Sequence, residues 1–423
     1  MPEIKPFRAL RYNAKRVSLS DVVAPPYDVI SPDQQAALYR RSPHNVVRLI
    51  LGREEDRYEE ARMNLEQWTE EHVLLRDEDP AVYFLEQEFT GPDGTSHRRR
   101  GFIAICRVEE FKAGAVLPHE RTLSKPKEDR FRLVQATRTN LSQIFSIYSD
   151  PEHRMEPLLA RGMTGPSLID IVHDGVKNRL WRQGDPELIR AVAERMRGET
   201  VLIADGHHRY ETALAYRDLM RIKSGDRTGT AAFDYTMMFF SSMDDPGLVV
   251  FPTHRLVHSL DSADAGNLLE RVRESFEVTQ AASLEDLASM LSSQPEYAFG
   301  LIAPGGFHLL KLKGKELLRS LISADTSPEV RELDVTLLHS YLLEEMLGIS
   351  REAQEKKMNL DYVKTVEEAG NAVAGGSAQF AFLMNPTKLT QIRRVARAGQ
   401  TMPQKSTFFY PKLLSGLLLY PLE

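Results

Sequence analysis

The sequence predicts a mixed α/β (α+β) protein built from more than one domain. Three observations lead there: β-rich and helical segments alternate along the chain, no segment repeats at a period of about 20 to 50 residues, and 423 residues exceed one ordinary domain. Apolar residues make up 42% and charged residues 27%, which is ordinary globular usage, so the chain can bury a sizeable core. The 54 basic and 60 acidic side chains leave a formal charge of −6, which supplies no general attraction for a polyphosphate backbone and disfavours a nucleic-acid partner. The single cysteine, Cys106, lies in an apolar run and rules out an intramolecular disulfide or a multi-cysteine metal centre, as expected for a reducing cytoplasm. No apolar run approaches about 18 residues, and residues 1–6 lack a basic region followed by an apolar stretch, so neither membrane spanning nor export is expected.

Taken in order, residues 56–75 carry Tyr58, Ala61, Leu65 and Trp68 at helical spacing. Residues 82–89 and 100–108 are β-rich and flank the turn former Gly91-Pro92-Asp93-Gly94, so a hairpin is predicted. A helix over 129–136 and strands at 144–148, 167–173 and 176–181 follow, then a short buried-strand pattern at 199–204. Ala213, Tyr216 and Met220 fall on one side of the helix after it, and strands are predicted at 235–241 and 247–251. Beyond Ala265 the pattern restarts with a helix, strands at 297–303 and 306–312, and a helical stretch over 335–347. The polar stretch 259–265, with Asp261, Ser262 and Asp264, marks a boundary, giving regions 1–100, 101–260 and 261–423.

The most informative local object is Asp205-Gly206-His207-His208-Arg209, set between the 199–204 strand and the next helix. Glycine after a buried strand lets the backbone bend and approach a ligand, and the following helix points its first N–H groups outward. That end of a helix carries partial positive charge, to which Arg209 adds a planar fork of donors and His207 and His208 further hydrogen bonds. The pattern suits a nucleotide phosphate chain, with Asp205 holding Mg2+ or orienting an acceptor; the plain alternative is a common turn in which Asp205 caps the helix. Adjacent histidines point about 100 degrees apart on a helix and do not chelate one ion together, and His-Glu-x-x-His is absent, so zinc is a minor alternative.

A second candidate is Pro118-His119-Glu120-Arg121-Thr122, followed by Lys125, Lys127 and Arg130. A carboxylate beside transferable phosphate can take the proton of an attacking hydroxyl while cations offset phosphate charge, and Glu120 is the carboxylate chosen. A solvated loop glutamate paired with Arg121 or Lys125 is the plain alternative. Thr122 and Lys405 are further candidates for phosphate contacts; Lys405 lies in the 402–412 stretch, which either closes over a nucleotide or docks its aromatics in a core. Residues 24–29, with Pro25, Pro26 and Tyr27, form a rigid turn that lines a pocket or simply fixes the chain. His254 and Arg255 follow a strand and, read as an exposed pair, carry no chemistry. Neither a Walker loop nor a Gly-x-Gly-x-x-Gly fingerprint occurs at a strand-to-helix turn.

These segments, at 24–30, 118–122, 127–148, 204–214, 247–256 and 402–412, together resemble the bacterial and archaeal family called domain of unknown function 1015 over nearly the whole chain. The Pro-His-Glu segment followed by Asp-Gly-His-His-Arg also resembles the ParB/sulfiredoxin-like superfamily, particularly its free-serine kinases. The resemblance implies a mixed-sheet, nucleotide-binding core over 101–260 with N-terminal and C-terminal α/β elaborations. It further implies Glu120 as the base and Asp205, Gly206, His207, His208 and Arg209 as the phosphate residues. The 85 positions from Glu120 to Asp205 (205 − 120) form a longer interval than in the compact kinases, which leaves the acceptor open. The function implied is a nucleotide-dependent phosphotransferase using ATP or ADP with Mg2+ on the hydroxyl of a small metabolite, free serine foremost. The alternative is a nucleotide-binding switch of ParB type without metabolite turnover. The partners expected are a nucleotide and a small substrate, with no nucleic acid and no membrane, and a homodimer as an open possibility.

Overall fold

In a computed structural model, the structure describes residues 1–91, 94–120, 124–260 and 267–423, with backbone alone at 124–126. The Pro92–Asp93 part of the predicted hairpin turn, Thr122 with its neighbours Arg121 and Leu123, and the boundary residues 261–266 lie outside the described residues. The chain folds as two units: residues 1–118, 122–249 and 411–423 form the first, and 119–121 with 250–410 the second.

The first unit is built on a nine-stranded mixed sheet. Val82–Thr90 and Ser96–Arg107 pair antiparallel, as their β-rich composition predicts, and Val176–Gln183 and Ile169–His173 extend that side. On the other side Tyr235–Ser242 pairs antiparallel with Ser96–Arg107 and parallel with Ile144–Tyr148. Val201–Asp205 then runs antiparallel to Ile144–Tyr148 and parallel to the short edge strand Val116–Leu117. Phe84, Phe102, Ile144, Ile203 and Phe240 are buried in one core cluster against the helix Pro186–Met196, whose Leu188, Val192 and Met196 face inward. Asp185 caps that helix by accepting from the Glu187 N–H at 3.0 Å, with Pro186 at its first position. A second cluster joins Leu10, Tyr12, Val46, Val47 and Trp68 to Leu133, Leu141 and Leu419. Cys106 is a free, buried thiol, and burial pushes its pKa up to about 12.

The second unit holds a six-stranded antiparallel sheet in the order Phe276–Ala281, Gly306–Leu312, Ala298–Ala303, Phe380–Met384, His254–Val257 and Leu360–Val363. The helices Leu284–Ser292 and Val366–Ala374 bury Leu287, Leu291 and Ala369 in its core cluster. The helical stretch predicted over 335–347 is α-helical at Asp334–Leu337 and continues as a π-helix over Leu338–Met346. One expectation fails here. His254 and Arg255, read as exposed, lie on a central strand and are 2% and 1% exposed. No helix among the described residues is long and apolar enough to cross a membrane.

Candidate functional site

In the first unit, the strand Val201–Asp205 passes directly into the 18-residue helix His207–Ser224. The joint is possible because Gly206 takes φ 96°, a left-handed conformation that a side chain resists. A Cβ there would also lie 2.8 Å from the Nε and Nη2 of Arg209. Glycine offers no side-chain cap, so the helix presents its positive N-terminal end behind a bare backbone. His207 and His208 sit half-buried on the first turn.

Two cations are fixed beside that end. Arg209 Nη2 donates to Asp205 Oδ2 at 2.7 Å, and Lys412 Nζ donates to Asp205 Oδ1 at 2.6 Å. Arg209 Nη1 donates to the carbonyl of Gln143, while its buried Nε has no partner among the described residues. Burial alone would raise the Asp205 pKa, but Lys412, then Arg209, hold the carboxyl far below the usual carboxylate range. Asp205 therefore acts in this arrangement as an anchor for cations. A Mg2+ ion on Asp205 would have to displace Lys412 or Arg209, and no cluster of three His, Cys, Asp or Glu side chains suited to a metal occurs among the described residues.

The sequence motifs at 24–29 and 127–148 converge on the same turn. A narrow cavity of about 50 Å3 is lined by Tyr27, Arg130, Ser142, Arg209, Thr212 and Tyr216, among others. The Arg130 guanidinium lies 4.0 Å from the centroid of the Tyr27 ring, and Thr212, 3% exposed, has a hydroxyl with no partner among the described residues. Lys127 pairs with Glu211 on the next turn of the helix. Lys412 and Arg130 were not selected by sequence reasoning for roles at this turn; the only signal for Lys412 was its place in the 402–412 stretch.

In the second unit, Glu120 is held by a hydrogen-bonded relay. The Thr407 N–H and hydroxyl donate to Glu120 Oε1 at 3.1 and 3.0 Å. Since that hydroxyl has a single proton, His119 Nε2, 2.8 Å from Thr407 Oγ1, is the donor to it. His119 is fully buried, whereas the Glu120 side chain is 16% exposed. Met402 N–H donates to the His119 carbonyl at 2.8 Å, which pins the 402–407 segment alongside. Lys405 is exposed with φ 57°, a left-handed conformation rare for a non-glycine residue, and its carbonyl accepts from Arg255 Nη2 at 3.1 Å. Arg255 also donates through Nε to His339 Nε2 at 3.2 Å. Burial pulls the Arg255 pKa down to about 10.

The fold and this turn define a mixed α/β protein whose large sheet ends in a glycine-opened helix N-terminus flanked by two anchored cations. The chain belongs to the family described as Protein of unknown function (DUF1015), whose model matches residues 4–336. No curated protein matches the sequence. Among solved structures it is similar to a free serine kinase in complex with AMP, at 16% identity over 70% of this chain and 83% of that one, with a TM-score of 0.34. It is also similar to SbnI with a C-terminal truncation from Staphylococcus aureus, at 11% identity over 76% and 87% and a TM-score of 0.37. A conserved hypothetical protein from Pyrococcus furiosus overlaps at 15% identity over 71% and 89%, with a TM-score of 0.34.

Proposed function

We propose that the chain is a nucleotide-dependent phosphotransferase that acts on the hydroxyl of a small metabolite, with ATP or ADP as donor and free serine as the leading acceptor. The observation that carries the reading is the Asp205–Arg209 turn: a bare glycine backbone, an uncapped helix end and the cations Arg209 and Lys412 meet at one point. Phosphate oxygens are recognised by this combination of a helix dipole and charge-assisted donors. In this reading His207, His208, Arg209 and Lys412 bind phosphate, Gly206 permits its approach, and Asp205 holds the cations in place. Thr122 and Lys405 remain further phosphate contacts, and Mg2+ arrives on the nucleotide, since one doubly paired carboxylate is a poor resident site for it. Glu120 takes the proton of the attacking hydroxyl, and Thr407 and His119 orient its carboxylate for that task.

The same hydrogen bonds favour a second reading, in which Glu120 is a structural anchor and the chain a nucleotide-binding switch. Glu120→Gln separates the two. For a kinase, phosphoserine formation from ATP or ADP, Mg2+ and serine falls by at least about 100-fold while nucleotide affinity holds. Nucleotide binding without any turnover in the unmodified chain would leave the switch, and absence of nucleotide binding would end both.

A further inference from the structure

Two helices of the first unit line the narrow cavity beside Arg209. The helix His207–Ser224 supplies Arg209, Thr212, Ala213 and Tyr216, at the i, i+3, i+4 and i+7 spacing of one face, and Ser124–Thr137 supplies Arg130, Leu133 and Val134. The volume of about 50 Å3 admits about four waters, since one water needs roughly 10–15 Å3 of such space. Four waters occupy about 120 Å3 of liquid, the bulk of roughly six or seven non-hydrogen atoms and too little for a nucleoside.

The lining is charged in one sense. Among the described residues it holds no Asp or Glu, and its charged side chains are Arg130 and Arg209, which keep 9% and 15% of their side-chain surface accessible. Each shares its carboxylate with a second cation: Asp129 pairs with Arg130 and, at 2.9 Å, with Arg57, and Asp205 pairs with Arg209 and Lys412. Two cations on one carboxylate leave each group with a net positive charge, which low-dielectric walls focus into the cleft. Burial, with repulsion from Asp28, pushes the Tyr27 pKa up to about 12 against the pull of Arg130 and Arg209. Its hydroxyl therefore remains a donor, and both guanidiniums share its end of the cavity. Asn140 Oδ1 accepts from Thr236 Oγ1 and the Met237 N–H, at 3.0 Å each, so that amide offers a ligand donors rather than an acceptor. Most of the remaining lining is hydrocarbon, from Leu133, Val134, Leu141, Ala213 and Phe233.

We propose that this cavity binds a small monocarboxylate with a hydrocarbon body, of the size of isovalerate. The carboxylate accepts from Arg130, Arg209 and the Tyr27 hydroxyl, while the hydrocarbon displaces water against Leu133, Leu141 and Phe233. An ammonium group in its place would meet two like charges, and a neutral amide would leave them uncompensated. The cavity adjoins the Asp205–Arg209 turn, but its occupant is not the nucleotide, and the inference does not require that the turn binds one.

The test is calorimetry and thermal denaturation of the full chain with isovalerate, against isovaleramide, isoamylamine and acetate. Isovalerate is expected to bind saturably and raise Tm. The amide and amine should be weaker by about tenfold or more for want of a charge-assisted bond, and acetate by a similar factor for want of buried carbons. Val134→Phe, at a half-buried position, fills the cavity with a ring and should abolish isovalerate binding with unchanged circular dichroism. Arg130→Gln should weaken isovalerate by about tenfold and shrink its advantage over the amide, which a loss of packing alone would not do. ATP binding, measured in parallel, tests the turn separately. Absence of saturable isovalerate binding overturns the inference. So does equal binding of the amide, the amine or acetate, or isovalerate binding that Val134→Phe leaves intact.

Discussion

At Gly206 a single missing side chain does two things. It allows φ 96°, and it leaves room for the Arg209 guanidinium, 2.8 Å from where a Cβ would stand. Gly206→Ala is therefore expected to cost about 1–2 kcal/mol in urea unfolding, from backbone strain and displacement of Arg209. Nucleotide affinity measured by calorimetry should fall by about tenfold or more, because the displaced Arg209 no longer flanks the helix end. Wild-type affinity in a folded Gly206→Ala protein would remove the turn from the binding site. The importance of this glycine was legible in the sequence because strand, glycine and helix are contiguous. The Lys412 pairing was not, since 207 positions separate it from Asp205 and no local pattern encodes a contact that distant.

At the scale of elements, strands with β-rich or continuously apolar composition were legible, as Val82–Thr90, Ile144–Tyr148 and Val201–Asp205 show. The helical character of Leu338–Met346 was legible but its π winding was not, because over nine residues an apolar pattern fits α and π periods about equally well. The residue that opens the preceding helical turn, Asp334, gives this region a pH dependence. Its carboxylate accepts from the Tyr297 N–H at 2.9 Å. Burial nevertheless pushes its pKa up to about 6, with Glu296 adding repulsion against the opposing effects of that N–H and Lys388. A carboxyl with a folded pKa above its unfolded value of about 3.9 binds more protons folded than unfolded between those two values. Its contribution therefore falls as pH rises from about 4 to 6, by on the order of 3 kcal/mol, and stays low above that. Asp334→Asn should remove this decline and raise stability at pH 7, as followed by far-UV circular dichroism in urea. A variant that tracks the wild type across that window would show that Asp334 ionises freely.

At the scale of the whole molecule, the chain leaves the first unit at residue 249 and returns to it at 411. The sequence predicts a C-terminal region running from 261 to the end, and nothing in local composition marks the return. Its cause is long-range burial: Leu413, Leu414, Leu417, Leu418, Leu419 and Leu422 are each at most 6% exposed. Backbone bonds reinforce them. Ser415 exchanges hydrogen bonds with Ala24, Leu419 with Leu10, and Tyr420–Pro421 pairs antiparallel with Thr139–Asn140. Burying a leucine is worth about 1.5–3 kcal/mol, so six of them approach or exceed the roughly 5–15 kcal/mol by which a typical domain is stable. Deleting residues 411–423 should thus unfold the first unit rather than merely abolish the Asp205–Lys412 pair. Trp68 and Trp181 both belong to that unit and are buried, at 2% and 7% exposed, so their fluorescence reports it directly. In the truncated chain that emission should shift to the red and protease should cut within residues 1–249. Lys412→Met in the full chain, which removes the pair alone, should keep native emission and lose nucleotide affinity. A truncated chain with native fluorescence and protease resistance would mean that the first unit is complete without its returning segment.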